Sequence, residues 1–139
     1  MQERVFEYHH RITYAECTLG NHVYYARYLD ILEAARGAWF RSVGRTFQEW
    51  QDHGYLFPVL ECHVRYLAPA RYDEPVVVGV WVTQMDRVRL AFGHRLLGPE
   101  NRELLRATTH HVCTSLQEKP RRLPSELVTL LKPFLRSEG

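Results

Sequence analysis

The stretch TYAECTLGNHVYYARYLDILEAARGAWF, from Thr13 to Phe40, determines the fold that we expect for this chain. It begins as a polar, tyrosine-rich turn in which Gly20-Asn21 marks the bend. From about Tyr24 to Val43 it continues as an apolar segment without proline, in which leucine, alanine and arginine are frequent, and this composition favours a helix. Because the segment is apolar around most of its circumference, we expect a helix that is buried on more than one side.

Strand patterns surround this helix. Val5 to Tyr14 alternates and is rich in aromatic and β-branched residues, which predicts a first strand. Four further strands are predicted at Phe57 to Tyr66, Pro75 to Met85, Val88 to Leu97 and Glu103 to Leu116. The run VVVGVWV in the second of these four predicts a strand covered on both faces. Short helices are expected at Thr46 to His53 and after Pro124.

Consecutive strands joined by turns favour antiparallel pairing, here in meander order. The sequence therefore predicts an α+β fold, with a curved five-stranded antiparallel sheet wrapped around one long central helix. The 139 residues suit one domain over residues 1–139. The edges of so small a sheet need cover, which favours a dimer with a continuous sheet.

Composition narrows the function classes. The net charge of +2 gives no reason to expect nucleic acid, and no apolar run is long enough to span a membrane. Cys17, Cys62 and Cys113 are odd in number and far apart, so we expect reduced thiols in a cytoplasmic protein rather than disulfides or zinc. The eight histidines show no metal-ligand spacing, and no metal is expected.

The turn and helix carry a recognisable motif. Tyr14 to Tyr28 reads YAECTLGNHVYYARY and is followed by Leu32-Glu33-Ala34-Ala35-Arg36. This pattern resembles the signature of hotdog-fold acyl-CoA thioesterases of the 4-hydroxybenzoyl-CoA and short-chain acyl-CoA type, and the resemblance continues through Pro58 to Glu61 and Arg65 to Asp73. It implies a hotdog fold, an acyl-CoA thioester as the small-molecule substrate, no cofactor beyond the coenzyme A of the substrate, and a homodimer or homotetramer.

The motif departs from the family at its catalytic positions. Thr18 stands where the family has its catalytic aspartate, the second acid of D-T-D, and Glu16 stands at the first. The polar pair before the helix is Tyr24-Tyr25 here. The resemblance still implies that a backbone amide at the helix start, of Tyr24 or Tyr25, faces the thioester oxygen, where the helix dipole stabilises an oxyanion.

The candidates for activating water are Thr18, Glu16, Tyr25, Glu33 and Glu61. Thr18 would position a water, or act as nucleophile if a base lay beside it. Each carboxylate would serve as a base near neutral pH if an apolar setting raised its pKa, with Glu61 approaching the helix start from its strand. Structural alternatives exist, since Glu16 fits a capping position and Glu33 can pair with Arg36.

Candidates for substrate binding lie in two places. His22, Tyr24 and Tyr28 surround the turn, whereas Arg87, Arg89 and Arg121 would hold the phosphates of coenzyme A. Tyrosines in such a position are more often packing residues, and each basic group could equally be a solvated turn. Two functions follow: hydrolysis of acyl-CoA thioesters, or binding of acyl thioesters by a protein that has lost hydrolysis. A dehydratase of the same fold would need a histidine and an acid at other positions.

Overall fold

The computed structural model of the protein describes residues 4–136. The strands are β1 (Phe6–Arg11), β2 (Cys17–Thr18), β3 (His22–Val23), β4 (Val59–Tyr66), β5 (Pro75–Met85), β6 (Arg89–Leu97) and β7 (Glu103–Val112). The α-helices are α1 (Arg27–Val43), α2 (Phe47–Asp52) and α3 (Ser125–Leu131). Short 3-10 turns cover Tyr14–Glu16, Pro99–Asn101 and Lys132–Phe134. Across the described residues, no helix is long and apolar enough to cross a membrane.

Five strands form one antiparallel sheet in the order β1-β5-β6-β7-β4, and β2 pairs with β3 in a separate hairpin. Helix α1 packs on one face of this sheet, where the rings of Trp39 and Phe40 lie 5.6 and 6.0 Å from that of Phe92 in β6. Alternate residues of β5 point toward α1 and are buried. The predicted hotdog architecture, a five-stranded antiparallel sheet around one long helix, is confirmed.

The predicted meander order is wrong for one strand. Strands β5, β6 and β7 form a meander, but β4 pairs with β7, and β5 pairs with β1. Between β4 and β5 the chain crosses the start of α1, where the amide of Ala70 donates to the Tyr28 hydroxyl at 3.0 Å. The Ala70 carbonyl accepts from the amide of Val23. These contacts hold the segment that connects β4, at one edge of the sheet, to β5, which is not its neighbour. The turn residues alone do not specify this connection.

Burial on helix α1 follows a single face. The buried residues recur every three or four positions and are Tyr28, Ile31, Leu32, Ala35, Arg36, Trp39 and Phe40. The expected burial on more than one side is therefore not found in the single chain. Several of the remaining apolar residues, such as Ala34 and Ala38, are small and leave little apolar area at the surface. The helix ends at Gly44, whose φ of 142° favours glycine, as predicted.

Strand β4 forms an open edge of the sheet. Seven of its eight residues are exposed, and only Val64 is partly buried. Val59 and Leu60 are 51% and 50% exposed, which is unusual for apolar residues in a strand. An edge of this kind is a template for pairing with another strand. The outer face of β5 is half-buried, so the predicted cover on both faces holds fully only for the face toward α1.

Candidate active site

The start of α1 presents backbone amides without an acceptor. Ala26 already has helical dihedral angles, with φ −74° and ψ −22°. In the described part of the chain, the amides of Tyr25 and Ala26 donate no hydrogen bond. The Tyr24 amide, in contrast, donates to the Glu16 carbonyl at 2.9 Å. Of the two amides predicted to face a thioester oxygen, that of Tyr24 is therefore occupied and that of Tyr25 is available for a developing oxyanion.

Glu16 is held inside the turn that precedes β2. Its Oε1 accepts from the Thr13 amide at 2.7 Å, and its two carboxylate oxygens lie 2.9 and 3.0 Å from Nε2 of His10. Burial acts to raise the pKa of Glu16, but the hydrogen bonds from Thr13 and His10 outweigh it, and the pKa is lowered. A carboxylate with a lowered pKa and filled hydrogen bonds is a weak base. This geometry matches the capping role that was the alternative to catalysis.

Thr18 and His22 face each other across the hairpin of β2 and β3. Both residues are exposed, and directly opposed residues of such a pair have Cβ atoms about 5 Å apart. Thr18 also lines an open cavity of about 720 Å³, together with Cys17 and Tyr72. The hairpin thus places a hydroxyl and an imidazole of the motif on directly opposed residues of one face.

Tyrosines surround the start of α1. The Tyr66 hydroxyl donates to the Tyr25 carbonyl at 2.9 Å, and the rings of Tyr24 and Tyr25 lie 4.9 Å apart. Tyr24 and Tyr25 are 45% and 63% exposed and therefore accessible to a ligand. Tyr28 is 4% exposed and its hydroxyl accepts from Ala70, so it packs inside the chain, and its predicted contact with substrate has no structural support. Sequence reasoning missed Tyr66, because its strand pattern gave no sign of a contact with the helix start.

Glu33 lies on the exposed side of α1, and the predicted ion pair between Glu33 and Arg36 is not formed among residues 4–136. Arg36 instead turns inward and donates from Nη1 to Nε2 of His94 at 3.1 Å. Glu33 lines a cavity with Pro58 and Val59, at the beginning of β4. It is thus an exposed carboxylate beside the open sheet edge.

Glu61 does not approach the start of α1. Val64 of β4 packs against the core, so the alternation of the strand turns Glu61 and His63 toward the opposite face of the sheet. There Glu61 lies 3.4 Å from Nε2 of His63. It is also about 16 Å along the strand from Tyr66, which contacts the helix start. The predicted position of Glu61 is therefore wrong within one chain.

The two basic segments predicted to hold phosphates come together in space. The amide of Leu123 donates to the Arg87 carbonyl at 2.8 Å, and Arg87 and Arg122 line one cavity of about 340 Å³. Arg121 points elsewhere, with its guanidinium 3.8 Å from the centre of the Tyr55 ring. Arg122 rather than Arg121 faces this cavity, and the binding of phosphates by these residues stays a prediction.

These basic residues lie far from the start of α1 in the same chain. Strand β5 begins beside the turn, where Ile12 donates to the Glu74 carbonyl, and ends in the hairpin that carries Arg87 and Arg89. Its 11 residues span about 35 Å, since each residue of a strand advances about 3.3 Å. One chain therefore does not join the predicted basic residues and the helix start in one site.

A further cavity of about 490 Å³ lies between α1, α2 and the sheet. Its aromatic wall is formed by Phe40, Phe47, Tyr55, Phe57 and Phe92. Arg36 and His111 are among its polar residues, and His111 donates from Nδ1 to the Phe57 carbonyl at 3.0 Å. Burial lowers the pKa of His111 to about 4 and that of His94 to about 3, so both rings are neutral near pH 7. Sequence reasoning missed these histidines, because the cavity joins residues that are distant along the chain.

Similarity to known proteins agrees with this geometry. The model of the thioesterase-like superfamily matches residues 12–131. The acyl-CoA thioester hydrolase YbgC of Escherichia coli O6:H1 is 32% identical over 133 residues, which cover 95% of this chain and 99% of that protein. The 1,4-dihydroxy-2-naphthoyl-CoA hydrolase of Synechocystis is 27% identical over 116 residues, which cover 82% of this chain and 84% of that protein.

A solved structure shares the fold. The crystal structure of Slr0204, a 1,4-dihydroxy-2-naphthoyl-CoA thioesterase from Synechocystis, superposes with a TM-score of 0.86. Its identity is 24%, and the match covers 93% of this chain and 96% of that one. The superfamily model spans most of this chain, and one relative is similar over nearly its whole length. The chain belongs to the thioesterase-like superfamily.

Proposed function

We propose that the protein hydrolyses acyl-CoA thioesters to a free acid and coenzyme A. The observation that carries this proposal is the exposed start of α1, where the amide of Tyr25 has no acceptor among the residues described. The substrate class is supported by the relatives named as acyl-CoA and 1,4-dihydroxy-2-naphthoyl-CoA hydrolases. The reaction requires water and the thioester, and we propose no cofactor.

The helix start supplies the electrostatic part of this reaction. A thioester oxygen at this position accepts a hydrogen bond from the Tyr25 amide, and the positive end of the α1 dipole stabilises the negative charge that develops on it. Water adds to the carbonyl carbon while a base removes its proton. The carbon–sulfur bond then breaks, the thiolate of coenzyme A leaves, and a proton returns to it.

We assign the base to Glu33. It is exposed beside the start of β4, whereas Glu16 is engaged by hydrogen bonds and Glu61 faces the other side of the sheet. Glu33 lies eight residues beyond Tyr25, about 12 Å along the helix. It therefore acts on a thioester bound at the helix start of a second copy. The pair of Thr18 and His22 is the second choice, with Thr18 positioning the water.

A homodimer paired along β4 meets this requirement. Antiparallel pairing of two edge strands places the Val59 end of one copy beside the Tyr66 end of the other. The Tyr66 end adjoins the start of α1, and the Val59 end adjoins Glu33. Arg87 lies at the Val59 end of the sheet as well, because its neighbour Val88 accepts from Cys113 just beyond β7. Each site would then combine the helix start of one copy with the base and phosphate-binding residues of the other.

Release of free thiol from a panel of acyl-CoA thioesters tests the proposal. We expect Glu33→Gln to lower kcat by about 100-fold, as is typical when a general base is removed. Glu61→Gln is the matched control, since it removes an exposed carboxylate on the opposite face, and its kcat should stay within about two-fold of wild type. If Thr18→Ala loses all thiol release while Glu33→Gln keeps normal turnover, the groups that activate water lie in the hairpin of β2 and β3 instead.

The second candidate function is binding of acyl thioesters without hydrolysis. The observation that favours it is Thr18, which stands where the motif has its aspartate. Calorimetry with acyl-CoA distinguishes the two functions. Binding without thiol release from any thioester of the panel would overturn the hydrolase and leave the binding protein.

A further inference from the structure

Among residues 4–136, Arg36 is a buried cation with no carboxylate within ion-pair distance. It is 7% exposed, and in the described part of the chain its hydrogen bond runs from Nη1 to Nε2 of His94 at 3.1 Å. The Nδ1 of His94 donates to the Ala107 carbonyl at 3.4 Å, so its Nε2 carries the lone pair and the ring is neutral. Burial lowers the pKa of Arg36 while Glu33 acts to raise it, but an arginine side chain keeps its charge.

Arg36 lines the aromatic cavity. Within residues 4–136, Trp39 Nε1 is the one polar side-chain atom that is fully enclosed and lacks a hydrogen bond. Nε and Nη2 of Arg36 are therefore not sealed in the core, and Arg36 is one of the residues lining the 490 Å³ cavity. A buried charge is stable when an opposite charge and further hydrogen bonds meet it, so this arrangement favours an anionic group inside the cavity.

A carboxylate has the chemistry that this position favours. The planar guanidinium presents N–H groups that match the two oxygens of a carboxylate. The neutral ring of His111 does not oppose an anion, and the aromatic wall accommodates an apolar spacer. Glu33 and Glu118 also line the cavity, and both are exposed. Their charges disfavour an anion at the mouth, so the favourable place for it is at depth, beside Arg36.

We propose that this cavity binds the acyl group, and that Arg36 selects acyl groups that carry a second, free carboxylate at the end away from the thioester. The inference rests on the proposed thioesterase activity and names its substrate class. Arg36 lies one helical turn beyond Glu33, about 5 Å along α1. A carboxylate separated from the thioester by a benzene ring or by about four methylene groups would therefore reach the guanidinium.

Matched pairs of thioesters test this specificity. 4-Carboxybenzoyl-CoA is compared with benzoyl-CoA, and adipoyl-CoA with hexanoyl-CoA. In the wild type we expect kcat/KM to favour the carboxylate member by about ten-fold or more, because the apolar member leaves the guanidinium unpaired. Arg36→Gln should abolish this preference, and Arg36→Lys should retain part of it. Arg41→Gln, an exposed position on the same helix, is the control that keeps the full preference.

Binding of the free acids separates failure of this inference from failure of the hydrolase. Calorimetry compares terephthalate with benzoate in the wild type and in Arg36→Gln, with circular dichroism as the check on folding. Tighter binding of terephthalate that is lost in Arg36→Gln supports the cavity even if no thioester is cleaved. Equal kcat/KM values within each pair, together with equal binding of the two acids by the wild type, overturn the inference while leaving hydrolysis intact. If Arg36→Gln does not fold, the wild-type pairs and Arg36→Lys decide.

Discussion

Tyr25 offers the candidate site its backbone amide as well as its exposed side chain. The motif predicted that an amide of Tyr24 or Tyr25 would face the substrate, but not which one. The choice depends on the hydrogen bond from Tyr24 to the Glu16 carbonyl, and this bond exists only once the turn has folded. The loss of the motif aspartate at Thr18 was visible directly in the sequence. Single residues were thus predictable in type, whereas the direction of their side chains and amides was not.

His94 makes the stability of the fold depend on pH. Its pKa falls from the ordinary value of 6.5 to about 3 on folding, because burial and the nearby charge of Arg36 disfavour the protonated ring. Between these values the unfolded chain binds a proton that the folded chain does not. This contribution to the free energy of unfolding is complete above about pH 6.5 and decreases by up to about 1.4 kcal/mol per pH unit toward pH 3.

Urea unfolding at several pH values between 7 and 4 measures this effect. We expect His94→Gln to remove about half of the decrease, since glutamine can accept from Arg36 without titrating, whereas His111, whose pKa also falls to about 4, still contributes. His9→Gln, an exposed position on β1, should keep the wild-type slope. If the free energy of unfolding of His94→Gln falls with decreasing pH as steeply as that of the wild type, other groups determine the pH dependence below about pH 6.5.

The elements followed from local patterns, but their arrangement did not. Helix α1 was evident from its composition, and β5 from its run of valines. The crossing of the chain between β4 and β5 was not, because it depends on contacts of Ala70 with Tyr28 and Val23, which are more than 40 residues away along the chain. Turn residues indicate where a strand ends, whereas long-range hydrogen bonds determine which strand comes next.

The 3-10 turn before β2 should owe part of its stability to Glu16. Replacement by glutamine in Glu16→Gln keeps the shape of the side chain but removes the charge that holds His10 and the Thr13 amide. We expect the free energy of unfolding at pH 7 to fall by about 1–2 kcal/mol, with kcat close to that of the wild type. Glu7→Gln on the exposed side of β1 should leave stability unchanged. If Glu16→Gln is as stable as the wild type but has lost turnover, Glu16 takes part in catalysis instead.

At the scale of the whole molecule, the fold and the superfamily were predictable from one motif and the element order, and both are confirmed. The cavity beside Arg36 was not, since its wall combines α1, α2, β6 and the segment before β4. The pattern of residues within one segment does not indicate that segments distant along the chain will enclose a cavity together. The sequence also contained no indication that Arg87 and Arg89 lie far from the start of α1. This separation is the feature that favours the proposed site shared between two copies.

Pairing along β4 can be tested by its sensitivity to charge. Leu60→Lys places a cation on the exposed apolar edge, and the cost of enclosing that charge between two copies should shift the particle toward the mass of a monomer. Leu116→Lys is the control, because Leu116 is also 50% exposed but lies in the loop after β7. Analytical ultracentrifugation of both variants and the wild type gives the masses. A Leu60→Lys protein that sediments like the wild type would exclude this edge as the interface.

The hydrogen bond from the Tyr66 hydroxyl to the Tyr25 carbonyl joins the edge strand to the residue whose amide is the proposed oxyanion donor. Strand β4 is anchored on one side by β7 and is open on the other, so the position of Tyr66 depends on what pairs with that open side. For the proposed dimer paired along β4, turnover per molecule would therefore vary with protein concentration. Dilution that separates the two copies would free this edge strand and, through the Tyr66 hydroxyl, alter the position of the helix start.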